Sequence, residues 1–270
     1  MRMAYWLDTY YFPTRIFPTS IEYELKFAGK YGAKGEKRQK KEKATPEQIR
    51  KQNQQNRSNH VRRKIKANFP EEEGIWVTLK YPRGYRPTME ELKKDLDKMF
   101  YLLRKAYRSR GAPFKWILRK EIGKRGGVHI HMIVNRIRGA DMDLLIRNAW
   151  GKKIDMQPMY EEGGYEDLAD YIVKEPDEEC EKQLSLFPED ERKQFRKYSC
   201  SRNLIEPVPE RKTYRRWTIA RLIRDGEIKA TPGYYVDKNS IHYGVNRFTG
   251  MSYLRYTEVK IAPVQRRGGG

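Results

Sequence analysis

Short runs of apolar residues, separated by turn-forming residues, mark four predicted strands. Residues 21–27 alternate between apolar and polar side chains. Residues 75–81, 114–121 and 128–135 are rich in the β-branched and aromatic side chains that strands favour. The glycine-rich segment 122–127 lies between the last two runs and predicts the loop of a hairpin.

Helical periodicity separates and follows these strands. Apolar residues recur three or four positions apart from Leu92 to Tyr107, and this spacing predicts an amphipathic helix that covers a sheet. Thr88 is a favourable N-cap for this helix, and Glu91 completes a capping box. Further helices are predicted at residues 46–66, 141–150 and 165–174.

The order strand, helix, strand, strand, helix predicts an α+β fold with a central antiparallel sheet. We expect helices on one face of this sheet and an open face for a substrate on the other. The acidic stretch 175–191 contains two prolines and predicts a loop or insertion. Three segments are expected: 1–70 with a strand and a basic arm, the core 71–205, and an accessory region 206–270.

The charge of the chain indicates a polyanionic partner. It has 57 Lys and Arg against 36 Asp and Glu, a net charge of +21, and 12% of its residues are aromatic. Cations that follow a phosphate backbone and rings that stack on bases suit single-stranded nucleic acid. A basic ribosomal-type protein or a merely soluble surface is the alternative.

Two segments concentrate the positive charge. Residues 34–66 carry 13 basic side chains against three acidic ones, and residues 192–224 carry 11 against two. The first segment is expected to be a basic linker followed by a polar helix, either as a solvated tail or as an arm that contacts DNA. The C-terminal region, with Trp217 and several tyrosines, either helps to bind an origin or packs on the fold.

Several other classes of protein are disfavoured. No apolar stretch approaches the length that spans a bilayer, and the first 12 residues lack the continuous apolar core of a signal peptide. Cys180 and Cys200 are too few for a tetrahedral zinc site and are interpreted as free thiols. There is no Walker A motif, so a fused helicase is not expected.

A pair of histidines on one strand is the first candidate for chemistry. Side chains alternate along a strand, so His129 and His131 would point together to the open face. Two imidazoles at this spacing can share one cation. The alternative is a pair of surface or hydrogen-bonded histidines.

Glu121 on the preceding strand can add a carboxylate to this pair. In the predicted hairpin it would lie across from His129 or His131. Two imidazoles and a carboxylate would leave positions open on Mg²⁺ or Mn²⁺, and they could also hold Zn²⁺. The alternative is that Glu121 pairs with Lys124 or Arg125.

Tyr171 and Lys174 lie side by side on a predicted helix, three residues apart. A lysine neighbour would favour the phenolate form of the tyrosine and could stabilise a transition state at phosphorus. The motif alone is weak because the chain has 19 tyrosines, and an amphipathic packing contact is the alternative. Tyr165 is about 120° away around the helix and does not share this face.

In this order, the strand 76–81, Glu121, the histidine pair and the Tyr171–Lys174 motif resemble the motifs of rolling-circle replication initiators in the HUH endonuclease superfamily. The likeness is to initiators of small bacterial phages and Gram-positive plasmids, and it covers residues 70–205, including residues 198–204. Some phage relatives have a second tyrosine four residues before the nucleophile, where this chain has Asp167. The chain is therefore similar to the single-tyrosine members.

The resemblance implies a ferredoxin- or RRM-like core and metal-dependent nicking and joining of single-stranded or origin-hairpin DNA. Tyr171 would be the nucleophile that forms a 5′-phosphotyrosine bond, with Lys174 beside it and Mg²⁺ or Mn²⁺ held by Glu121, His129 and His131. The expected DNA-binding residues are Lys80, Lys124, Arg125, Arg202, Arg62, Arg63 and Lys64.

The biological setting implied is the cytoplasm of a bacterial host, with a host helicase and polymerase as partners and no membrane. Two alternatives remain open. A relaxase or transposase of the same superfamily would use identical chemistry. A non-catalytic nucleic-acid-binding protein would use the charge alone.

Overall fold

The computed structural model describes residues 5–13, 18–28, 43–70, 73–159, 162–214 and 228–261. The basic residues expected in an arm at 34–42, and Trp217, lie outside these ranges. The chain divides into two compact units, one formed by Met1–Lys51 with Pro207–Gly270 and the other by Gln52–Glu206.

The described residues of the unit Gln52–Glu206 form one five-stranded antiparallel sheet with helices packed against it. Its elements, in chain order, are α1 (Pro46–Asn68, which enters this unit at Gln52), β3 (Gly74–Lys80), α2 (Met89–Arg108), β4 (Trp116–Ile122), β5 (Val128–Asn135), α3 (Met142–Trp150), β6 (Ile154–Pro158), α4 (Glu166–Val173), α5 (Glu178–Leu184), α6 (Glu189–Arg196) and β7 (Tyr198–Cys200). The strand order is β6-β3-β5-β4-β7. The predicted α+β class with a central antiparallel sheet is confirmed.

One face of this sheet is covered as the pattern predicted. Alternate residues of β3 and β5 join the apolar side of α2 and the helix α3 in one buried cluster. α2 begins at the predicted capping box, because Thr88 Oγ1 accepts from the Glu91 backbone N–H while the Glu91 carboxylate accepts from the Thr88 backbone N–H. The cap fixes where the amphipathic pattern starts and therefore which side of α2 meets the sheet.

The opposite face is also partly covered. Trp76, Ile117 and Ile133 lie on it and pack in a second buried cluster with residues of α1 and α4. The expectation that this face is open is therefore wrong for its apolar part. The reason is physical: the central strands carry apolar side chains on both faces, and both then need a covering layer.

Helix α1 is anchored by its last turns. Val61 and Ile65 are fully buried in the second cluster, while the earlier part of the helix is mostly exposed. Burying an aliphatic side chain of this size stabilises a fold by about 1.5–3 kcal/mol. The segment interpreted as a solvated tail or a DNA-contacting arm thus contributes to the core over its C-terminal half.

The acidic stretch 175–191 is helical rather than a loop. Asp177 caps α5 by accepting from the Cys180 backbone N–H, and the two prolines lie outside the helices, before α5 and at the N-cap of α6. Buried Leu184 and Phe195 then join the first cluster. Proline is compatible with a helix start, which is why the stretch is helical despite its composition.

The unit formed by Met1–Lys51 and Pro207–Gly270 is built on a second antiparallel sheet. Its strands are β1 (Tyr5–Phe12), β2 (Ser20–Phe27), β8 (Glu210–Tyr214), β9 (Tyr234–Asn246) and β10 (Met251–Lys260), in the order β8-β1-β2-β10-β9. The predicted strand at residues 21–27 is confirmed as β2. The sequence analysis did not identify β1 or any of the three C-terminal strands.

Both cysteines are free, as expected, with Cys180 buried and Cys200 half-buried. Within the described ranges, no helix has the length and apolar character needed to cross a membrane.

Candidate active site

Strand β5 divides its side chains between the two faces of the sheet as predicted. Val128, Ile130, Met132 and Val134 belong to the cluster under α2, and Ile133 belongs to the cluster on the other face. Because strand side chains alternate, His129 and His131 share the face of Ile133. The strand thus presents both imidazoles beside the cluster that contains α4.

Register places the neighbours of the histidines. Glu121 on β4 lies directly opposite His129, and Arg119 lies opposite His131. On the other side, Thr78 of β3 lies opposite His131, with its Oγ1 3.3 Å from His131 Nδ1. Partners in an antiparallel pair face the same way, so all these side chains converge on one surface.

Helix α4 brings Tyr171 to this surface. The Tyr171 hydroxyl donates to Glu121 Oε2, and its oxygen lies 2.9 Å from His131 Nε2. Lys174 Nζ is 2.7 Å from Glu121 Oε1 and 4.1 Å from the centre of the Tyr171 ring. His131 Nε2 is also 2.9 Å from Glu121 Oε2, so a single carboxylate connects the histidine, the tyrosine and the lysine.

Trp76 fixes the orientation of these rings. Its indole stacks on His131 at 5.4 Å with an angle of 15° between the rings, and it meets the Tyr171 ring edge-on at 5.7 Å. Contacts of both kinds are favourable for aromatic pairs. Packing therefore holds the imidazole and the phenol in place independently of their hydrogen bonds.

Glu121 is ionised in this cluster. Burial opposes its ionisation, but hydrogen bonds from His131, Lys174 and Tyr171 outweigh burial and hold the pKa of Glu121 well below its usual range. Its alternative partners are not used, because Lys124 instead lies 2.7 Å from Glu179 and Glu121 pairs with Lys174.

Tyr171 is a neutral phenol in this arrangement. Burial, followed by the hydrogen bond to Glu121 and its negative charge, raises the pKa of Tyr171 well above its ordinary value. The expectation that Lys174 favours the phenolate is therefore wrong for this state. The lysine charge pairs with Glu121, and the carboxylate that accepts from the phenol favours its protonated form.

His129 lies at the edge of the cluster. Its ring centre is 6.3 Å from that of His131, and burial, together with the neighbouring His131, lowers the pKa of His129. A lowered pKa keeps the imidazole neutral near pH 7, which is the form that binds a metal ion.

The three predicted metal ligands agree with a divalent cation in the type of their donor atoms, two imidazole nitrogens and a carboxylate on one face. Their present arrangement is a hydrogen-bonded one. Among the residues that the structure describes, no group of three or more His, Cys, Asp or Glu side chains is placed to hold a metal ion. Glu121 is occupied by Tyr171, His131 and Lys174 instead.

Lys80, Lys124, Arg125 and Arg202 lie at or near the surface, as expected of residues that bind DNA. Lys80 is directly opposite His129 on the sheet and is 3.5 Å from Asp155. Lys124 and Arg125 are exposed in the hairpin between β4 and β5, close to the chain positions of the histidine pair. Arg202 is exposed in the turn after β7.

The three basic residues of α1 are less accessible than expected. Arg62 and Lys64 are buried and Arg63 is half-buried. Lys64 Nζ lies 2.6 Å from Glu206. Their position in the last turns of α1, which pack against the sheet, gives Arg62 and Lys64 a place inside the unit rather than on its surface.

Sequence reasoning missed three members of the site, Trp76, Thr78 and Arg119. The signal was available in the period-two rule, because Trp76 and Thr78 alternate with the core residues of β3, and Arg119 is two residues before Glu121. Arg119 is 2% exposed, and its Nη1 donates to the carbonyl oxygen of Ile172 at 2.6 Å. It thereby fixes the backbone next to Tyr171.

The ionisation of Glu121 makes a contribution to stability that depends on pH. Because its pKa is lowered on folding, the contribution is present above the ordinary pKa of 4.5 and is lost as the pH falls towards the lower pKa of the folded state. We expect Glu121→Gln to lower the free energy of unfolding at pH 7, and this difference to shrink steadily below pH 4.5. Urea unfolding in EDTA, from about pH 7 to about pH 3, measures it. A difference that stays constant over this range would contradict the assignment.

The cluster also gives Lys174 a measurable role in any reaction of Tyr171 with phosphate. We expect Lys174→Ala to slow this reaction ~10²-fold, the effect of removing one preorganised electrostatic stabiliser. The exposed Lys182 on α5 is the matched control, and Lys182→Ala should leave the rate unchanged. Single-turnover measurements at saturating DNA separate the rate from binding, and equal rates for the two variants would exclude the role.

Fold and site together define an α+β protein whose antiparallel sheet presents a histidine–glutamate pair to a tyrosine and a lysine on a packed helix. Residues 74–176 match a family of replication-associated proteins, that of ORF2 and the gene-2 protein. The match runs from β3 through α4 and contains Glu121, both histidines, Tyr171 and Lys174. This similarity indicates a role in DNA replication and therefore DNA binding. No curated protein and no solved structure is significantly similar to the chain.

Proposed function

We propose that this protein initiates rolling-circle replication by nicking and joining single-stranded DNA through Tyr171, as a single-tyrosine HUH endonuclease. The observation that carries the proposal is the contact of the Tyr171 hydroxyl with both Glu121 and His131, with Lys174 bound to the same carboxylate. Similarity to replication-associated proteins over residues 74–176 supports the setting.

The proposed step is a transesterification. The Tyr171 oxygen attacks phosphorus, a new O–P bond forms, and the bond from phosphorus to the 3′ oxygen breaks. The phenol proton leaves along its hydrogen bond to Glu121, and the departing 3′ oxygen gains a proton. The products are a 5′-phosphotyrosine and a free 3′-OH, and the reverse reaction joins strands.

Positioning and charge supply the rest of the proposed catalysis. Trp76 and the hydrogen bond from Arg119 to the Ile172 carbonyl hold the nucleophile in one orientation. Lys174 places a positive charge beside it. Phosphoryl transfer depends largely on such positioning and electrostatic stabilisation, so a small cluster can suffice.

We propose that Glu121, His129 and His131 bind Mg²⁺ or Mn²⁺. Such an ion would supply positive charge at the scissile phosphate when bound. The support is the type of the donors, their common face, and the neutral state that burial favours for His129.

The proposed substrate is single-stranded or origin-hairpin DNA. A net charge of +21 and the exposed Lys124 and Arg125 next to the histidine strand suit its phosphate backbone. A host helicase and polymerase would complete replication. A relaxase or transposase would use the same step in another setting.

A covalent adduct is the direct test. Wild-type protein is incubated with labelled single strands covering candidate origins, with Mn²⁺ or EDTA, and then boiled in SDS. We expect a labelled band of protein–DNA size only with the metal, and peptide mapping should place the DNA on Tyr171. Binding without any adduct in any metal would refute the enzyme and leave a non-catalytic DNA-binding protein.

A further inference from the structure

A cleft of about 80 Å³ opens next to the Tyr171 cluster. It shares Glu121 and Lys174 with that cluster and extends from β4 to the segment after α4 and to α5 and α6. The proposed nicking step uses the Tyr171 side of these two residues. The remaining walls of the cleft have no part in that step.

Arg119 forms part of the wall of the cleft and has more donors than acceptors around it. The side chain is 2% exposed, and the hydrogen bond to the Ile172 carbonyl is the one it makes with the described part of the chain. Its Nε is buried with no hydrogen-bond partner among those residues. A guanidinium carries several N–H donors, and buried donors without acceptors are unfavourable. The cleft therefore lacks an acceptor at Arg119.

The missing acceptor does not suit a phosphate. Three carboxylates line the same cleft, those of Glu121, Glu175 and Asp177, against the cations of Arg119 and Lys174. A phosphate placed here would meet the repulsion of like charges. A neutral group with a carbonyl oxygen would satisfy Arg119 without this repulsion, and any N–H groups on it could donate to the carboxylates.

The other walls are suited to a flat ring. Ile122, Pro176, Leu184 and Phe195 supply apolar surface around the charged groups. Apolar walls with a few convergent donors and acceptors are typical of sites that bind small planar groups, including bases that leave a stack. Single-stranded DNA presents such bases without the cost of breaking a pair.

We propose that this cleft binds one unstacked, carbonyl-bearing nucleobase of the DNA strand, with Arg119 donating to the base and guanine preferred. Guanine offers two adjacent acceptors, O6 and N7, which match the donors of an arginine. The proposal rests on the proposed function to the extent that the strand passes Tyr171. Adenine lacks the carbonyl and is the discriminating competitor.

The test is a ratio of affinities that cancels the contribution of the phosphates. Fluorescence anisotropy at one fixed salt concentration compares d(TG)6 with d(TA)6, which have the same length and charge. We expect the wild-type protein to bind d(TG)6 about tenfold more tightly, the scale of one arginine–guanine contact.

Two variants and a control connect this ratio to the cleft. Arg119→Met removes the donor, and Cys180→Met narrows the cleft from α5 without removing a charge. Both should bring the ratio close to one. The control Arg108→Met removes an exposed charge from α2 and should weaken both oligonucleotides equally, with the ratio unchanged. If thermal melting shows that Arg119→Met does not fold, Cys180→Met alone decides.

A wild-type ratio of one, or a tenfold ratio that persists in Cys180→Met, would overturn the proposal. An equal loss for both oligonucleotides in Arg119→Met, larger than in Arg108→Met, would instead assign the cleft to a phosphate and also overturn it. The adduct assay reports separately on nicking. A guanine preference without an adduct would remove the proposed function and leave the cleft, and an adduct without a preference would do the reverse.

Discussion

Tyr171→Phe is expected to reduce the covalent protein–DNA adduct to background while leaving folding and DNA affinity nearly intact. The substitution removes one oxygen, and the ring keeps its edge-on contact with Trp76 and its place under Lys174. No other described tyrosine contacts both Glu121 and His131 through its hydroxyl. The amount of SDS-stable adduct at saturating DNA measures the effect.

Two other tyrosines of the same unit provide matched controls. Tyr198 is half-buried against the same apolar cluster, and Tyr165 is buried six residues before Tyr171. Tyr198→Phe and Tyr165→Phe should form adduct at the wild-type rate. If Tyr171→Phe retains adduct and Tyr165→Phe loses it, the nucleophile is misassigned, although the proposed class of enzyme would stand.

His129→Ala is expected to abolish the metal-dependent adduct and to leave most of the DNA affinity. Binding depends on many distributed cations, whereas the proposed reaction depends on one metal site. His129 lies outside the tight contacts among Glu121, His131 and Tyr171, so its removal disturbs packing little. Adduct yield and Mn²⁺ binding, followed by the electron paramagnetic resonance of the free ion, should fall together.

The same change at a histidine elsewhere in the chain tests whether the effect is local. His242 is exposed on β9, in the other compact unit, and His242→Ala should preserve both adduct and Mn²⁺ binding. His131→Ala should also abolish the adduct, but it removes contacts with Trp76 and Thr78 as well, so its folding must be measured alongside. Full activity of the double variant of His129 and His131 in saturating Mn²⁺ would exclude the metal assignment.

One test suggested by the charge pattern alone changes its meaning in the structure. Deleting the first 66 residues to remove positive charge would also remove Val61 and Ile65, which are fully buried in the core of the other unit. It would also remove β1 and β2 from the second sheet. A lower affinity after such a deletion would therefore report on folding as well as on charge.

The local patterns of the sequence determined the elements around the site. The capping box at Thr88 fixes the start of α2, Asp141 caps α3, and the run 128–135 coincides with β5. Strand alternation also correctly predicted that His129 and His131 share one face and that Glu121 can lie opposite one of them. These features depend on neighbours close in sequence or on one hairpin, which is why a pattern can predict them.

Tertiary structure decided how these elements meet. The hydroxyl of Tyr171 reaches Glu121 across 50 positions of sequence, and this contact raises the tyrosine pKa where the lysine alone would have lowered it. The carbonyl of Ile172 accepts from buried Arg119, which the sequence marked only as another cation.

The pairing of strands from the two ends of the chain was also invisible to local reasoning. β1 and β2 hydrogen-bond to β8 and β10 across roughly two hundred residues, and short strands of polar and aromatic residues carry little signal of their own. Periodicity reports which side of an element is apolar, and so the sequence by itself determined the strands, the helices and the face that carries the histidines. It does not report which distant surface covers that side, so the ionisation of Tyr171, the burial of Lys64 and the cleft beside Arg119 followed only from the packed structure.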